Sequence, residues 1–129
     1  MGTRTEAIIA AELVRRGYRV LLPFGFNHRY DLVLDIEGRF LRVQCKTGRL
    51  RGGCILFSAQ SIRSNSAKTI CRDYKGEIEL FLVHCPENGA LYAIPIEHAT
   101  ASGGTLRLQP TGNGQARGVR CAKDYELPA

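Results

Sequence analysis

The order of apolar residues along the chain predicts an α/β domain built on a mixed sheet. Three observations carry this reading. A stretch with helical spacing opens the chain, two runs with strand character meet at Glu37-Gly38, and two further apolar runs follow Glu77.

The helix is expected over Thr3–Arg16. Ala7, Ile8, Ala11 and Leu13 or Val14 recur at helical spacing and supply its apolar stripe. Arg15 and Arg16 suit the negative end of the helix dipole, and Gly17 suits the stop. Arg19–Phe24 reads as a short strand, stopped by Pro23 and Gly25, and a polar loop runs to Arg29. Tyr30–Ile36 and Arg39–Thr47 are strands. With only Glu37-Gly38 between them they form a hairpin. Ile55–Ser58 is a further strand edge, and Gln60–Lys75 is polar with no assignable period. Ile78–Cys85 suits a strand buried on both faces, Pro86–Gly89 a turn, and Leu91–Ile96 a last core strand. Beyond His98 the chain is rich in Gly, Thr and Arg. Thr105–Gln109 reads as an edge strand and Val119–Tyr125 as a short helix. With no repeat and no linker composition, residues 1–129 read as one domain, with a core at about 2–98 and a basic C-terminal extension at about 99–129.

Composition narrows the partners. Hydrophobic residues make up 44% and charged residues 23%, ordinary values for a globular protein. No apolar run approaches the roughly 20 residues that span a bilayer. The first residues lack the basic-then-apolar order of a signal peptide, so no membrane partner and a cytoplasmic location are expected. The five cysteines are odd in number and include no Cys-x-x-Cys pair, and the three histidines are scattered. Reduced, packed thiols are therefore expected, not a disulfide framework or a zinc ribbon. Eighteen Lys and Arg against twelve Asp and Glu leave a net charge of +6, which favours an anionic partner. The charge is clustered: Arg39, Arg42, Lys46, Arg49 and Arg51 come first, then Arg63, Lys68, Arg72 and Lys75.

One strand carries the chemistry. Side chains alternate faces along Leu41–Lys46, so Arg42, Gln44 and Lys46 project together and Leu41, Val43 and Cys45 point the other way. A turn at Glu37-Gly38 sets residue 31 opposite residue 44, so Asp31, Gln44 and Lys46 converge. An aspartate embedded before Leu32-Val33-Leu34 is poorly explained by solvation alone. Asp31 can ligate a hard divalent cation, Gln44 offers a neutral oxygen, and the Cys45 backbone carbonyl offers another. Lys46 can serve an attacking water and offset charge on a phosphate. This set suits metal-assisted phosphodiester hydrolysis. The run Gly48 to Gly53 around Arg49 and Arg51 reads as a glycine-flanked loop that approaches a phosphate backbone. Asn27, His28 and Arg29 lie just before Asp31 and offer similar contacts, with His28 read as a loop histidine, not a base.

Asp31, a hairpin, then Gln44-x-Lys46 resembles the PD-(D/E)XK nuclease superfamily. Gly2 to Glu6, Pro23-Phe24-Gly25, Arg29-Tyr30-Asp31-Leu32, Val43 to Gly48, Tyr74 to Glu79 and Tyr92 to Pro95 are similar to one branch of it. That branch holds endonucleases associated with group I introns, known from cyanobacterial homing endonucleases. The resemblance covers about residues 2–98 and implies a restriction-endonuclease-like core, a mixed central sheet flanked by helices. It implies that Glu6 joins Asp31 and Gln44 in holding Mg2+, with Mn2+ as a substitute, and that Lys46 is the catalytic lysine. Gln44 stands where most of the superfamily has a carboxylate, and Glu79 where Asp is expected, so Glu79 is read as structural first. The expected substrate is double-stranded DNA, contacted by Asn27, Arg29, Arg49, Arg51 and Lys68. One centre per chain implies a homodimer for cutting both strands, and the resemblance extends this to a homotetramer. A Holliday-junction resolvase, a repair nuclease and an inactive DNA-binding module are the alternatives.

Overall fold

The computed structural model describes residues 2–25, 28–58, 60–64, 69–73, 76–99, 103–108 and 120–127. Helix α1 (Gly2–Arg15) opens the chain. Its buried stripe is Thr5, Ile9 and Leu13, each one turn after the last. Ala7, Ile8, Ala11 and Val14 point outward, which corrects the predicted stripe. Between Ala7 and Val14 only Glu12 is polar, so two helical phases compete almost equally. The phase taken is the one in which Ile9 and Leu13 fill one cluster with Leu32, Leu34, Val43 and Leu82.

Strands β1 (Arg19–Leu21), β2 (Leu32–Ile36) and β3 (Arg39–Thr47) form an antiparallel meander. The β2–β3 turn falls at Glu37-Gly38, both at positive φ (52° and 83°), the conformation that makes a two-residue hairpin loop. The ladder runs from Ile36↔Arg39 to Leu32↔Val43, the register inferred from the sequence. The chain then leaves this sheet through β4 (Arg49–Arg51) and β5 (Cys54–Ser58), an antiparallel pair. The segment without a period contains a hairpin, β6 (Gln60–Ser64) and β7 (Thr69–Asp73). Strand β8 (Leu80–His84) returns beside β3 in parallel, β9 (Leu91–Pro95) pairs antiparallel with β8, and β10 (Gly103–Arg107) joins β5.

The result is a five-stranded mixed sheet, β1-β2-β3-β8-β9, between two unlike layers. Helix α1 covers one face. The other is covered by the sheet β10-β5-β4, whose Ile55, Phe57 and Leu106 pack on Phe81, Val83, Tyr92 and Ile94. Among the described residues, a small sheet thus occupies the face where a second flanking helix is expected. The predicted C-terminal helix is a single 3-10 turn, Ala122–Asp124. The four described cysteine side chains are free thiols, as expected. No described helix is long and apolar enough to cross a membrane.

Two details hold β3 against β8. The Glu79 carboxylate accepts the Arg42 backbone N–H (2.7 Å) and pairs with its guanidinium, while Glu79 N donates to Arg42 O (3.0 Å). Arg42 holds the Glu79 carboxyl below the usual carboxylate range. The structural reading of Glu79 is therefore supported by what it touches. Gly48, at the exit from β3, donates its N–H to His84 O (2.8 Å) and is buried. A Cβ there would lie 2.8 Å from both Ile55 Cγ2 and Val83 Cγ1. Gly48 is thus required by close packing of two sheets, not by approach to a phosphate, and Arg49–Arg51 is a strand, not a loop. Both neighbours are β-branched and fully buried, so neither gives way easily. Gly48→Ala should destabilise the protein by about 1–3 kcal/mol through overpacking. Urea unfolding checks this, and an unchanged midpoint would show that the two sheets are not held this closely.

Candidate active site

The ladder between β2 and β3 ends in a side-chain contact. Asp31 N donates to Val43 O (2.8 Å), continuing the pairing one residue past β2. The next donor on β3, Cys45 N, goes to Asp31 Oδ2 instead of a carbonyl (2.8 Å). The carboxylate is therefore seated on the edge of the strand that carries Gln44 and Lys46. Alternation sends Val43 and Cys45 into the α1 cluster, and so turns Gln44 and Lys46 to the opposite face, beside Phe81 and Val83 of β8.

Helix α1 brings the second acid. Thr5 is buried, and its Oγ1 lies 2.6 Å from Thr47 Oγ1, which pins the start of the helix to the end of β3. Glu6 follows directly and its carboxyl is hydrogen-bonded to Asp31. Burial, this hydrogen bond and the charge of Asp31 push the Glu6 carboxyl up to about 7. The pair faces an open groove of about 400 Å³, lined by Glu6, Leu22, Pro23, Gly25, His28, Tyr30 and Asp31. Gln44 and Lys46 are not among the groove's lining residues; Lys46 is near enough to Asp31 for their charges to interact, and Gln44 lies two positions earlier on the same strand face.

Two carboxyls held this close need a shared proton or a cation between them. Among the described residues, no three or more His, Cys, Asp or Glu side chains gather at one point. A cation here meets two carboxylates and must take its other ligands from amide, backbone or water oxygen. That donor set fits a hard divalent ion and not a thiolate-seeking one. The Cys45 side chain is not part of it. It is buried against α1, and burial with the charges of Asp31 and Glu6 pushes its thiol well above the ordinary range. Such a thiol is inert, which leaves only the backbone carbonyl of the predicted Cys45 role.

Lys46 is largely buried, and burial lowers its ammonium from the ordinary value. Arg29 lowers it further, while Asp31 opposes the shift. Arg29 is thus near Lys46, and Glu77 holds it there, with Nε to Oε2 at 2.6 Å. It is a partly buried neighbour of the site, where the sequence suggested a residue of the exposed loop. Glu77 is 48 positions from Arg29, and no local pattern links them. Arg49 and Arg51 are exposed on β4. By alternation they share the outer face of the small sheet with Thr105 and Arg107. Asn27 and Lys68 lie outside the described residues.

Comparisons with known proteins bear on the fold and the family. A search of curated proteins finds no significant match. Among solved structures, the bacterial homing endonuclease I-Ssp6803I is similar, with a TM-score of 0.72 and 23% identity over 97% of this chain and 85% of that one. At that identity the likeness is one of fold, the restriction-endonuclease-like arrangement of a mixed sheet with a helix against it. The sequence profile of PD-(D/E)XK endonucleases matches residues 1–128, and with nearly the whole chain matched, this protein belongs to the PD-(D/E)XK endonuclease family.

Proposed function

We propose that this nuclease is a magnesium-dependent, site-specific DNA endonuclease of the homing type, with Glu6, Asp31, Gln44 and Lys46 at its centre. The observation that carries this reading is the seat of Asp31. Its carboxylate is hydrogen-bonded both to Glu6 and to the backbone of the strand bearing Gln44 and Lys46. PD-(D/E)XK nucleases generally use divalent metal ions. Here Glu6, Asp31, the Gln44 amide and the Cys45 carbonyl would hold Mg2+, with Mn2+ able to replace it. When bound, the ion neutralises the acid pair and polarises the phosphate.

The residues supply the rest. Asp31 is oriented by the Cys45 N–H, so one oxygen is committed to the strand and the other can face the groove. Lys46, with its ammonium destabilised by burial, sits closer to the protonation balance a proton acceptor needs. It takes a proton from water as the water oxygen bonds to phosphorus and the bond to the leaving sugar oxygen breaks. Its positive charge then lies beside the phosphate oxygens. Arg49 and Arg51 contact the duplex backbone. Each chain holds one such centre, so a double-strand cut needs a dimer or a tetramer.

Three outcomes test this reading. In a supercoiled-plasmid assay at low salt with Mg2+ or Mn2+, Lys46→Ala and Asp31→Ala should each lower cleavage by at least about 100-fold, and EDTA should abolish it. Near-normal cleavage by either variant removes that residue from the centre. Cleavage absent even in the wild type, with DNA binding intact, leaves either an enzyme whose site the plasmid lacks or an inactive DNA-binding module; cleavage gained by Gln44→Glu would select the inactive module, in which Gln44 has replaced a needed carboxylate.

A second outcome concerns pH. Glu6 keeps its proton in the folded protein to about 7, whereas the unfolded chain loses it near the ordinary value of 4.5. The folded state therefore binds more protons across that window, and stability of the metal-free protein should fall as pH rises through it. Glu6→Gln should flatten this slope, and Mg2+ should raise the melting temperature more at about pH 8 than at about pH 5. A magnesium effect that is the same at both pH values would place the ion elsewhere.

The third concerns the basic strand. Arg49→Ala with Arg51→Ala should flatten the salt dependence of DNA binding by up to about 0.9 per lost phosphate contact. An unchanged slope would separate that face from DNA.

A further inference from the structure

The segment Leu22-Pro23-Phe24-Gly25 borders the candidate groove, and the Leu22 and Phe24 side chains are exposed. Phe24 is 99% exposed and Leu22 70%, the two highest values among the exposed large apolar residues described. Leu22, Pro23 and Gly25 line the same groove as Glu6 and Asp31; Phe24, between two of them in sequence, does not line it and is held out in solvent beside it. The rim is held in this shape. Pro23 restricts the backbone before Phe24, and Gly25 takes a φ of 104° that side chains disfavour. His28 Nε2 lies 2.9 Å from Phe24 O, and the His28 ring packs on Tyr30, with centroids 5.7 Å apart. The backbone that carries the phenyl ring is thus restrained, and the ring itself is open to a partner.

From this we infer that Phe24, supported by Leu22, is an apolar wedge that packs against a nucleobase of the DNA beside the scissile phosphate. The inference rests on the DNA endonuclease reading above and adds a contact to it. The chemistry is suited to this partner. A nucleobase offers a planar face to an aromatic ring whatever its identity, and apolar side chains wedge between base steps where a duplex is bent. A second protein copy fits less well. One phenyl ring and one leucine fall far short of the roughly 800 Å² per partner of a stable interface. A protein seated there would also close the groove that DNA must enter. Pyrimidine–purine steps unstack most readily, so the wedge favours cleavage near them.

The sequence contains no tryptophan, so Phe24→Trp introduces a single reporter at the rim. Phe40→Trp is the control, at a site 62% exposed near the β2–β3 turn, away from Asp31. Each protein is titrated with a fluorescein-labelled mixed-sequence duplex in Ca2+, with binding followed by anisotropy and tryptophan emission read in parallel. The wedge requires that DNA quench the emission of the Phe24→Trp variant and shield its indole from acrylamide, with little change in the control variant. Phe24→Ala should weaken binding or kcat/KM by about tenfold and flatten any preference for pyrimidine–purine steps. Binding by anisotropy with unchanged emission and unchanged acrylamide access overturns the wedge while leaving the nuclease reading intact. No binding by the wild type overturns both. Emission that shifts with protein concentration alone assigns the rim to self-association and overturns the DNA contact.

Discussion

The hydrogen bond from Cys45 N–H to the Asp31 carboxylate is the constraint on which the candidate site depends. It replaces the backbone pairing that would otherwise continue the β2–β3 ladder. A carboxylate bound to a strand edge cannot rotate away, and its position is set by the register of the hairpin. The register is set in turn by a two-residue turn whose residues both lie at positive φ, and by Leu32, Leu34 and Val43 entering one cluster. A slip of one residue would turn Lys46 toward α1 and Cys45 toward the second sheet. The catalytic arrangement and the core packing are therefore the same decision.

The electrostatics follow from that seat. Once Asp31 is held, the helix pinned through Thr5 and Thr47 brings Glu6 onto it, and the cost of two neighbouring carboxylates appears as the raised Glu6 carboxyl. Burial of Lys46 beside β8 and the nearby Arg29 disfavour its ammonium, and Asp31 offsets only part of this. An acid that holds its proton, Glu6, and a lysine that releases one more readily, Lys46, are opposite perturbations around Asp31. Such pairs of perturbed groups cluster at functional sites. Glu77 on Arg29 and Glu79 on Arg42 join the entry of β8 to the elements beside it.

Much of this was legible from local pattern. The Arg39–Thr47 strand, the turn at Glu37-Gly38 and the phase of Gln44 with Lys46 all rest on period-two alternation and turn chemistry, which operate over a few residues. The helix face was not legible. The run Ala7-Ile8-Ile9-Ala10-Ala11 is apolar in every direction, and only the volume available above β3 selects Ile9 and Leu13. Arg49 and Arg51 among glycines looked like a loop because Gly48 was read for its freedom. In the fold, Gly48 is needed for its lack of a side chain between Ile55 and Val83.

The sequence by itself determined the hairpin, its register, and so the candidate trio of Asp31, Gln44 and Lys46, because strand geometry couples spacing directly to facing. The basic surplus and the motif order pointed to DNA chemistry for the same kind of reason: they are properties of residue type and local order. The resemblance assigned Glu6 to the site, but only the tertiary structure decided how it meets Asp31, that Arg29 is held by Glu77, and that a small sheet covers the second face. It also left Phe24 exposed next to residues that line the groove. These contacts join residues separated by tens of positions. Side-chain volume and charge select them once the layers close, and no local period encodes that closure.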